Sequence, residues 1–421
     1  MALIQEPHAL GEQVVRTLAL QPFAIHSVAV PQISPFVGLL FDRSRVGSLE
    51  GVTTPPYDTV SPEDQHRYLQ ASPHNVIRLD LGEDRPGDDG TRSKYRRASE
   101  HLREWRAQGI LVQTPRPAYF PYEMRFTLHG RHRRIRGVIG AVELEDWGGS
   151  IVPHERTAQG PVEDRLRLIR EIRVNLSCIH AVFFEPSPPL AALLERVGRT
   201  EPLAEALDEE GVTHRLWMVD DEEGVGNSLA GETVLIADGH HRYAMALAYR
   251  NEMRAAKGPG PWDRTMMLLM DAAAEDPPVL PYHRIVRAPA PPMHGTRVRD
   301  LQEVLDQVDD EGLVFGAATM ERGELVHRVA HLEGEPPTVS ALHRQLLDGR
   351  DDDLAFTPDA VRAEDAVRLG QAEAALFLPP TTAARIRAVI DRREQLPQKS
   401  TFFWPKPRTG MVIQPLDGHL G

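Results

Sequence analysis

The sequence predicts a mixed α/β protein, and three observations carry the prediction. The short β-branched run Thr233–Ala237 and the apolar run Thr265–Met270 read as buried strands. Tyr95, Ala98, Leu102 and Trp105 recur at helical spacing, as one buried face does. The 421-residue chain is 41% hydrophobic and 26% charged, which supports a packed core. At about 100–200 residues per domain, that length corresponds to two or three domains.

Taken in order, residues 1–33 read as an N-terminal extension and Pro35–Phe41 as a first strand. Thr54-Pro55-Pro56-Tyr57-Asp58 is a stiff loop, because proline fixes φ and disfavours helix before it. Ser61-Pro62-Glu63-Asp64 opens a helix, with Ser as cap and acids in the first turn. Asn75–Leu81 alternates apolar and polar residues, the pattern of a half-buried strand. The helix through Tyr95 and Trp105 is stopped by Gly109. Ala118–Leu128 and Ile135–Leu144 flank Gly130, the pattern of a hairpin. Residues 186–232 mix helical and strand signals. Tyr243–Lys257 is a helix closed by Arg254, Lys257 and Gly258. The proline-rich stretch Ala288–Pro292 marks a joint, after which residues 295–395 alternate helical and short strand patterns. The expected organisation is an extension over 1–33, a main region over 34–292 and a C-terminal α/β domain over 293–421.

There are 48 Lys and Arg against 61 Asp and Glu, a net charge of -13. That balance argues against general nucleic-acid binding, which relies on neutralising phosphates. It leaves room for a local basic site. The one cysteine, Cys178, excludes an intramolecular disulfide framework and a Cys-rich zinc site. No stretch approaches the roughly 18 apolar residues of a membrane span, and Met1–Glu6 lacks a basic leader. The expectation is a cytoplasmic protein that does not engage the membrane.

The sharpest local feature is Asp238-Gly239-His240-His241-Arg242, where a strand turns into a helix. Helix N-termini present backbone N–H groups and a partial positive charge to anions. Gly239 permits close backbone approach, Arg242 can fork onto a phosphate, and His240 and His241 add donors. Asp238 can hold a histidine or a metal ion. The same residues also fit a plain capped helix start with a solvated first turn. A second group, His154-Glu155-Arg156-Thr157 followed by Asp164 and Arg165, reads as a loop. There Glu155 is a candidate general base beside His154, or a metal ligand with an oriented imidazole; the plain alternative is a surface loop with ordinary ion pairs. Asp58 follows the two prolines and is either a turn cap or a catalytic carboxylate. His283 and Arg284 can reach an anion, although one His–Arg pair says little. Cys178 reads as a buried small residue rather than a nucleophile.

Pro55-Pro56-Tyr57-Asp58, Asn75–Leu79, Pro153-His154-Glu155 with Thr157, Asp164-Arg165, Asn175-Leu176-Ser177, Ala237–Tyr243, Leu280–Arg284 and Lys399–Phe403 occur in this order. Together they resemble a family of uncharacterised prokaryotic proteins, domain of unknown function 1015, over about residues 34–413. The turn at 238–242 is similar to the phosphate-binding turn of the ParB/sulfiredoxin superfamily, which includes CTP-binding partition proteins and free-serine kinases. The resemblance implies a ParB/sulfiredoxin-like core elaborated by a β-rich insertion at 110–185. One position departs from the family pattern: Val162 stands where the family usually carries Lys.

The resemblance implies a nucleotide-dependent small-molecule kinase acting on a hydroxyl, with free serine as the analogous acceptor. Gly239, His240, His241, Arg242 and Arg165 would bind the nucleotide, ATP or ADP, with Mg²⁺. Glu155 or Asp58 would accept the hydroxyl proton, and His154 and Asp238 would assist. A nucleotide-binding switch without transfer chemistry and a metal-assisted phosphoester hydrolase are the alternatives. The expected partners are a nucleotide and a small molecule. Metal identity and oligomeric state stay open.

Overall fold

The computed structural model describes residues 32–417 apart from 90–91, 156–158, 221–224, 227–232, 393 and 395. Most of the expected N-terminal extension, and Arg156 and Thr157 of the second motif, lie outside the described residues. The fold is mixed α/β. Contacts divide the chain into two units, one of residues 1–153, 157–276 and 405–421, the other of 154–156 and 277–404. Among the described residues no helix is long and apolar enough to cross a membrane.

The first unit is built on a nine-stranded mixed sheet. Its strands are β1 (Ile33–Ser34), β2 (Phe120–Leu128), β3 (Arg131–Glu143), β4 (Ile151–Val152), β5 (Ile179–Phe183), β6 (Ala204–Leu207), β7 (Thr213–Leu216), β8 (Val234–Asp238) and β9 (Arg264–Asp271). They run in the order β4-β8-β5-β9-β3-β2-β7-β6, with β1 added along β3. The pairs β8–β4 and β9–β5 are parallel and the others antiparallel. The central strands β5, β8 and β9 are buried nearly throughout, which is why their sequences are continuous apolar runs rather than alternating ones. The expected hairpin of β2 and β3 turns at His129-Gly130, with φ of 49° and 73°. Those two positive φ values suit the twist of the flanking strands.

Six helices of the first unit matter here: α1 (Pro62–Ala71), α2 (Ile77–Asp80), α3 (Lys94–Ala107), α4 (Gln159–Ile172), α5 (Pro188–Val197) and α6 (His240–Lys257). Ser61 caps α1 reciprocally with Asp64, as the sequence predicts. Helix α6 puts Tyr243, Ala246 and Leu247 into the main core. Its Ala244, Met245, Ala248 and Tyr249 pack on Val162, Leu166 and Ile169 of α4. Val162 is thus 6% exposed and part of an apolar seam. The segment after Pro405 returns to this unit. It pairs Gln414-Pro415 with Asn175-Val174, and Thr409 bridges to Thr54.

Asn75–Leu81 is not a strand. Asn75 Oδ1 accepts from the Ile77 backbone N–H at 2.9 Å and starts the single turn α2. Burial of Val76, Ile77, Leu79 and Asp80 satisfies either period over so few residues, so the alternation misleads. The expected first strand shortens to Leu39–Phe41, paired with Leu111–Gln113.

The second unit contains a six-stranded antiparallel sheet of β10 (His283–Val286), β11 (Thr296–Val298), β12 (Val314–Glu321), β13 (Glu324–His331), β14 (Leu354–Thr357) and β15 (Ala374–Phe377). The order is β11-β13-β12-β15-β10-β14. Helices α7 (Leu301–Gln307) and α8 (Ala360–Arg368) cover it, with Val304, Ala363 and Val367 in its core. Strand β10 belongs to this sheet, so the contact division falls at Asp276/Pro277, ahead of the proline-rich joint.

Candidate functional site

The turn expected at residues 238–242 forms. Buried strand β8 ends at Asp238, and α6 starts at His240. Gly239 between them has φ of 100° and ψ of 29°, a left-handed conformation that glycine adopts without a Cβ clash. A Cβ there would also meet the Arg242 guanidinium at 3.0 Å. The N–H groups of His240, His241 and Arg242 lie in the first turn, where a helix has no carbonyl of its own to offer them. The helix dipole adds positive potential at that point. His240 is buried and His241 half-buried.

The carboxylate of Asp238 is shared by two cations. Arg242 Nη2 donates to Oδ2 at 2.5 Å, and Lys406 Nζ donates to Oδ1. Arg242 Nη1 also donates to the Cys178 carbonyl and to Ser177 Oγ at 3.2 Å. Arg242 is 6% exposed and its guanidinium is turned inward onto Asp238, Cys178 and Ser177, so it acts on the turn through its charge and by bracing Asp238. His180 on β5 lies within the field of Asp238, Lys406 and Arg242. Burial pushes its imidazole down to about 4. Burial also pushes the Cys178 thiol up to about 12, so it is an inert core residue, as expected.

A second cluster is organised by Arg165 on α4. Its Nη1 donates to the Asp80 carbonyl at 2.6 Å and to Asp80 Oδ1 at 3.0 Å. Its Nε donates to Asp164 Oδ2 at 2.9 Å, and its Cζ stands 4.2 Å from the Tyr57 ring centroid. Arg165 is 4% exposed and braces three segments of chain. Tyr95 Oη donates to Asp164 Oδ1 at 2.8 Å, and Lys94 Nζ lies 3.3 Å from the same oxygen. Burial would raise Asp164, but Arg165, Tyr95 and Lys94 together hold it below the usual carboxylate range. Asp80 is raised, because burial outweighs Arg165 and Arg242. Asp58 is exposed on the one-turn 3₁₀ segment Tyr57–Thr59, and its charge reaches both Arg242 and Asp80.

Between α4, α6 and the chain at 174–179 lies a small, solvent-open cleft. Asp80, Arg165, Ser177 and Arg242 form its polar side, and Leu168, Ile169, Ile179 and Met245 its aliphatic side. Arg242 thus touches both the cleft and the turn.

Glu155 and His154 belong to the second unit. Glu155 Oε1 accepts from the backbone N–H groups of Ser400 and Thr401 at 3.0 and 3.1 Å and from Thr401 Oγ1 at 3.2 Å. Its Oε2 accepts from Lys399 N at 3.2 Å. Three successive N–H groups, with Lys399 at φ of 52°, make a nest that the carboxylate fills. The His154 and Thr401 side chains are hydrogen-bonded, Nε2 to Oγ1, at 2.6 Å. The motifs at 153–155 and 399–403, far apart in sequence, are therefore one structural joint. Arg284 is fully buried and donates to the carbonyls of Tyr282 and Lys399 at 2.6 and 2.9 Å. Burial pushes His283 down to about 4.

The first unit therefore gathers Asp58, Arg165, Asp238, Gly239, His240, His241 and Arg242, while Glu155 and His154 serve the second. Sequence reading misses Lys406 and Asp80. Lys406 has no spacing signal, lying between two prolines three residues past the Lys399–Phe403 motif. Asp80 sits at the end of the segment that reads as a strand.

Residues 33–344 match the family described as protein of unknown function (DUF1015). Comparison with curated proteins gives no match. Among solved structures, a conserved hypothetical protein from Pyrococcus furiosus is similar at 13% identity and a TM-score of 0.35, over 63% of this chain and 92% of that one. A free serine kinase in complex with AMP is similar at 13% identity and a TM-score of 0.34, over 63% and 88%. C-terminally truncated SbnI from Staphylococcus aureus is similar at 10% identity and a TM-score of 0.28, over 64% and 85%. At such identities and TM-scores the likeness is too distant to carry a function across.

Proposed function

The chain belongs to the DUF1015 family, and we propose that its first unit binds a nucleotide, ATP or ADP, at the Asp238–Arg242 turn and transfers a phosphoryl group to a small hydroxyl compound. The observation that carries this reading is the turn itself. A buried strand delivers a left-handed glycine to the start of an 18-residue helix, and two cations stand on the carboxylate beside it. Phosphoryl transfer asks the protein mainly for positioning and for neutralised charge. Backbone N–H groups of the first turn of α6 supply donors for phosphate oxygens. Lys406 supplies a cation on a flexible stem, which can leave Asp238 for a phosphate while Arg242 keeps the carboxylate paired.

The acceptor hydroxyl also needs a carboxylate to take its proton. The Glu155 oxygens already accept four hydrogen bonds from Lys399, Ser400 and Thr401. Asp58, exposed and within the field of Arg242, and Asp80, buried in the same unit, are the carboxylates left for that role. Mg²⁺ would come with the nucleotide, on its phosphates and water, as that ion usually does. Among the described residues no three His, Cys, Asp or Glu side chains gather for a metal on their own. The test is incubation of the full chain with radiolabelled ATP or ADP, Mg²⁺ and free serine. The reading expects label on the acceptor, with ADP formed from ATP or AMP from ADP. A protein that binds neither nucleotide overturns it.

A further inference from the structure

We propose that the cleft between α4 and α6 is the acceptor site of this transfer, that it takes a short aliphatic compound through its hydroxyl, and that Asp80 receives the hydroxyl proton. The proposal rests on the phosphoryl-transfer reading and adds to it a substrate class and a catalytic residue.

The geometry of Asp80 carries the argument. The residue closes α2 and is 5% exposed. Arg165 holds Oδ1 at 3.0 Å and so fixes the carboxylate plane. The other oxygen, Oδ2, is buried and has no hydrogen-bond partner among the described residues. An orphaned buried acceptor is costly, and folded proteins seldom leave one. Asp80 also lines the cleft, so a bound molecule can bring the missing donor.

The surroundings select the donor. Arg165 and Asp164 face Asp80 from α4, Arg242 from α6, and Asp58 with Tyr57 from the turn before α1. Two guanidiniums this near disfavour an ammonium at Oδ2, whereas a neutral O–H carries no like-charge penalty. The opposite side of the cleft, at Leu168, Ile169, Ile179 and Met245, receives a short aliphatic body. Arg242 lines the cleft and also lies in the first turn of α6, so the cleft adjoins the phosphate turn.

In the transfer the hydroxyl oxygen forms a bond to the terminal phosphorus. The bond from phosphorus to the bridging oxygen breaks, and the departing nucleotide keeps that electron pair. The hydroxyl proton passes to Asp80 Oδ2 and then to water. Burial raises Asp80, which brings the acceptor closer to the working pH.

The experiment incubates the full chain with labelled ATP or ADP and Mg²⁺, in parallel with L-serine, L-threonine, L-homoserine and 1,3-butanediol. Wild type, D80N, D80E and D58N are compared, with nucleotide affinity and melting measured for each. The expected result is label on at least one of these compounds. In D80N, kcat falls about 100-fold or more while nucleotide affinity stays within about twofold, because removing a general base costs about 10²–10⁴. The acid limb of the kcat profile disappears in D80N, and D80E, which keeps a carboxylate, recovers part of kcat. D80N turning over like wild type overturns the role of Asp80, as does a folded D80E no better than D80N, or a D58N whose kcat falls as far as that of D80N. Nucleotide binding with none of the four compounds labelled overturns the acceptor class and leaves the nucleotide reading standing. Absence of nucleotide binding in the wild type removes that reading and this proposal with it.

Discussion

Lys406 reaches back across 168 residues of sequence to pair with Asp238, on the carboxylate oxygen opposite the one held by Arg242. The returning segment is anchored just after Lys406. Arg408 Nη2 donates to the Thr53 carbonyl at 2.6 Å, and Gly410 N donates to Leu176 O at 3.1 Å. The lysine is therefore presented to the turn from a fixed backbone, although its own stem is flexible.

Removing that cation weakens nucleotide binding. Lys406→Met is expected to lower ADP and ATP affinity about tenfold, since a hydrogen bond to a charged group contributes about 1.5–3 kcal/mol. The remaining affinity falls less steeply with added salt. Lys406→Arg restores part of the loss. Calorimetric titration at two ionic strengths checks this. Equal affinities for wild type and Lys406→Met contradict it.

Arg165 is a brace, and its loss is felt in stability. Arg165→Met leaves Asp80 without its ion-pair partner in a buried site and frees Asp164 from its closest one. Breaking a buried pair from one side costs about 3–5 kcal/mol. The urea midpoint should fall accordingly. A variant as stable as wild type would show that these carboxylates are solvated.

Acid should weaken the first unit through His180. Burial holds this imidazole at about 4, below the ordinary 6.5, so the unfolded chain takes up the proton first as pH falls. Its contribution is complete above about 6.5 and is lost as pH drops toward about 4, amounting to about 3 kcal/mol at most. His180→Asn flattens that part of the stability profile. Urea unfolding across the range measures it, and an unchanged slope in the variant contradicts the assignment.

Cys178 should resist alkylation in the native state. It is buried, and its thiol stands at about 12. The thiolate is the reactive form, so iodoacetamide is expected to modify the folded protein negligibly and the guanidinium-unfolded protein at one site. Rapid native modification, read by mass spectrometry, would contradict this burial.

Local chemistry was legible from sequence where it is local in the structure. The Ser61 cap, the Gly130 hairpin and the strand-to-helix turn at Gly239 each depend on a few neighbouring residues. The alternation at Asn75–Leu81 misled because one buried turn and one half-buried strand place apolar residues alike over so short a span. Glu155 and His154 read as loop chemistry, yet their partners Ser400 and Thr401 lie about 245 residues away. Lys406 was hidden for the same reason: no pattern in a sequence announces a pair between distant segments. Arg242 and Arg165 show the complementary difficulty. Sequence suggests that they are cations for a phosphate, but it cannot show that their guanidiniums already serve protein acceptors.

The proposed function stands or falls on nucleotide phosphates binding at the start of α6. Isothermal titration of the full chain with ADP, ATP and CTP in Mg²⁺ tests it most directly, with Gly239→Ala beside the wild type. A Cβ at residue 239 meets Arg242 at 3.0 Å and disfavours φ of 100°, so this variant distorts the turn at its first residue. Saturable binding of ADP or ATP by the wild type is expected, one per chain, weakened by salt and by Gly239→Ala. No binding of any of the three nucleotides, or equal binding by a folded Gly239→Ala, would contradict it.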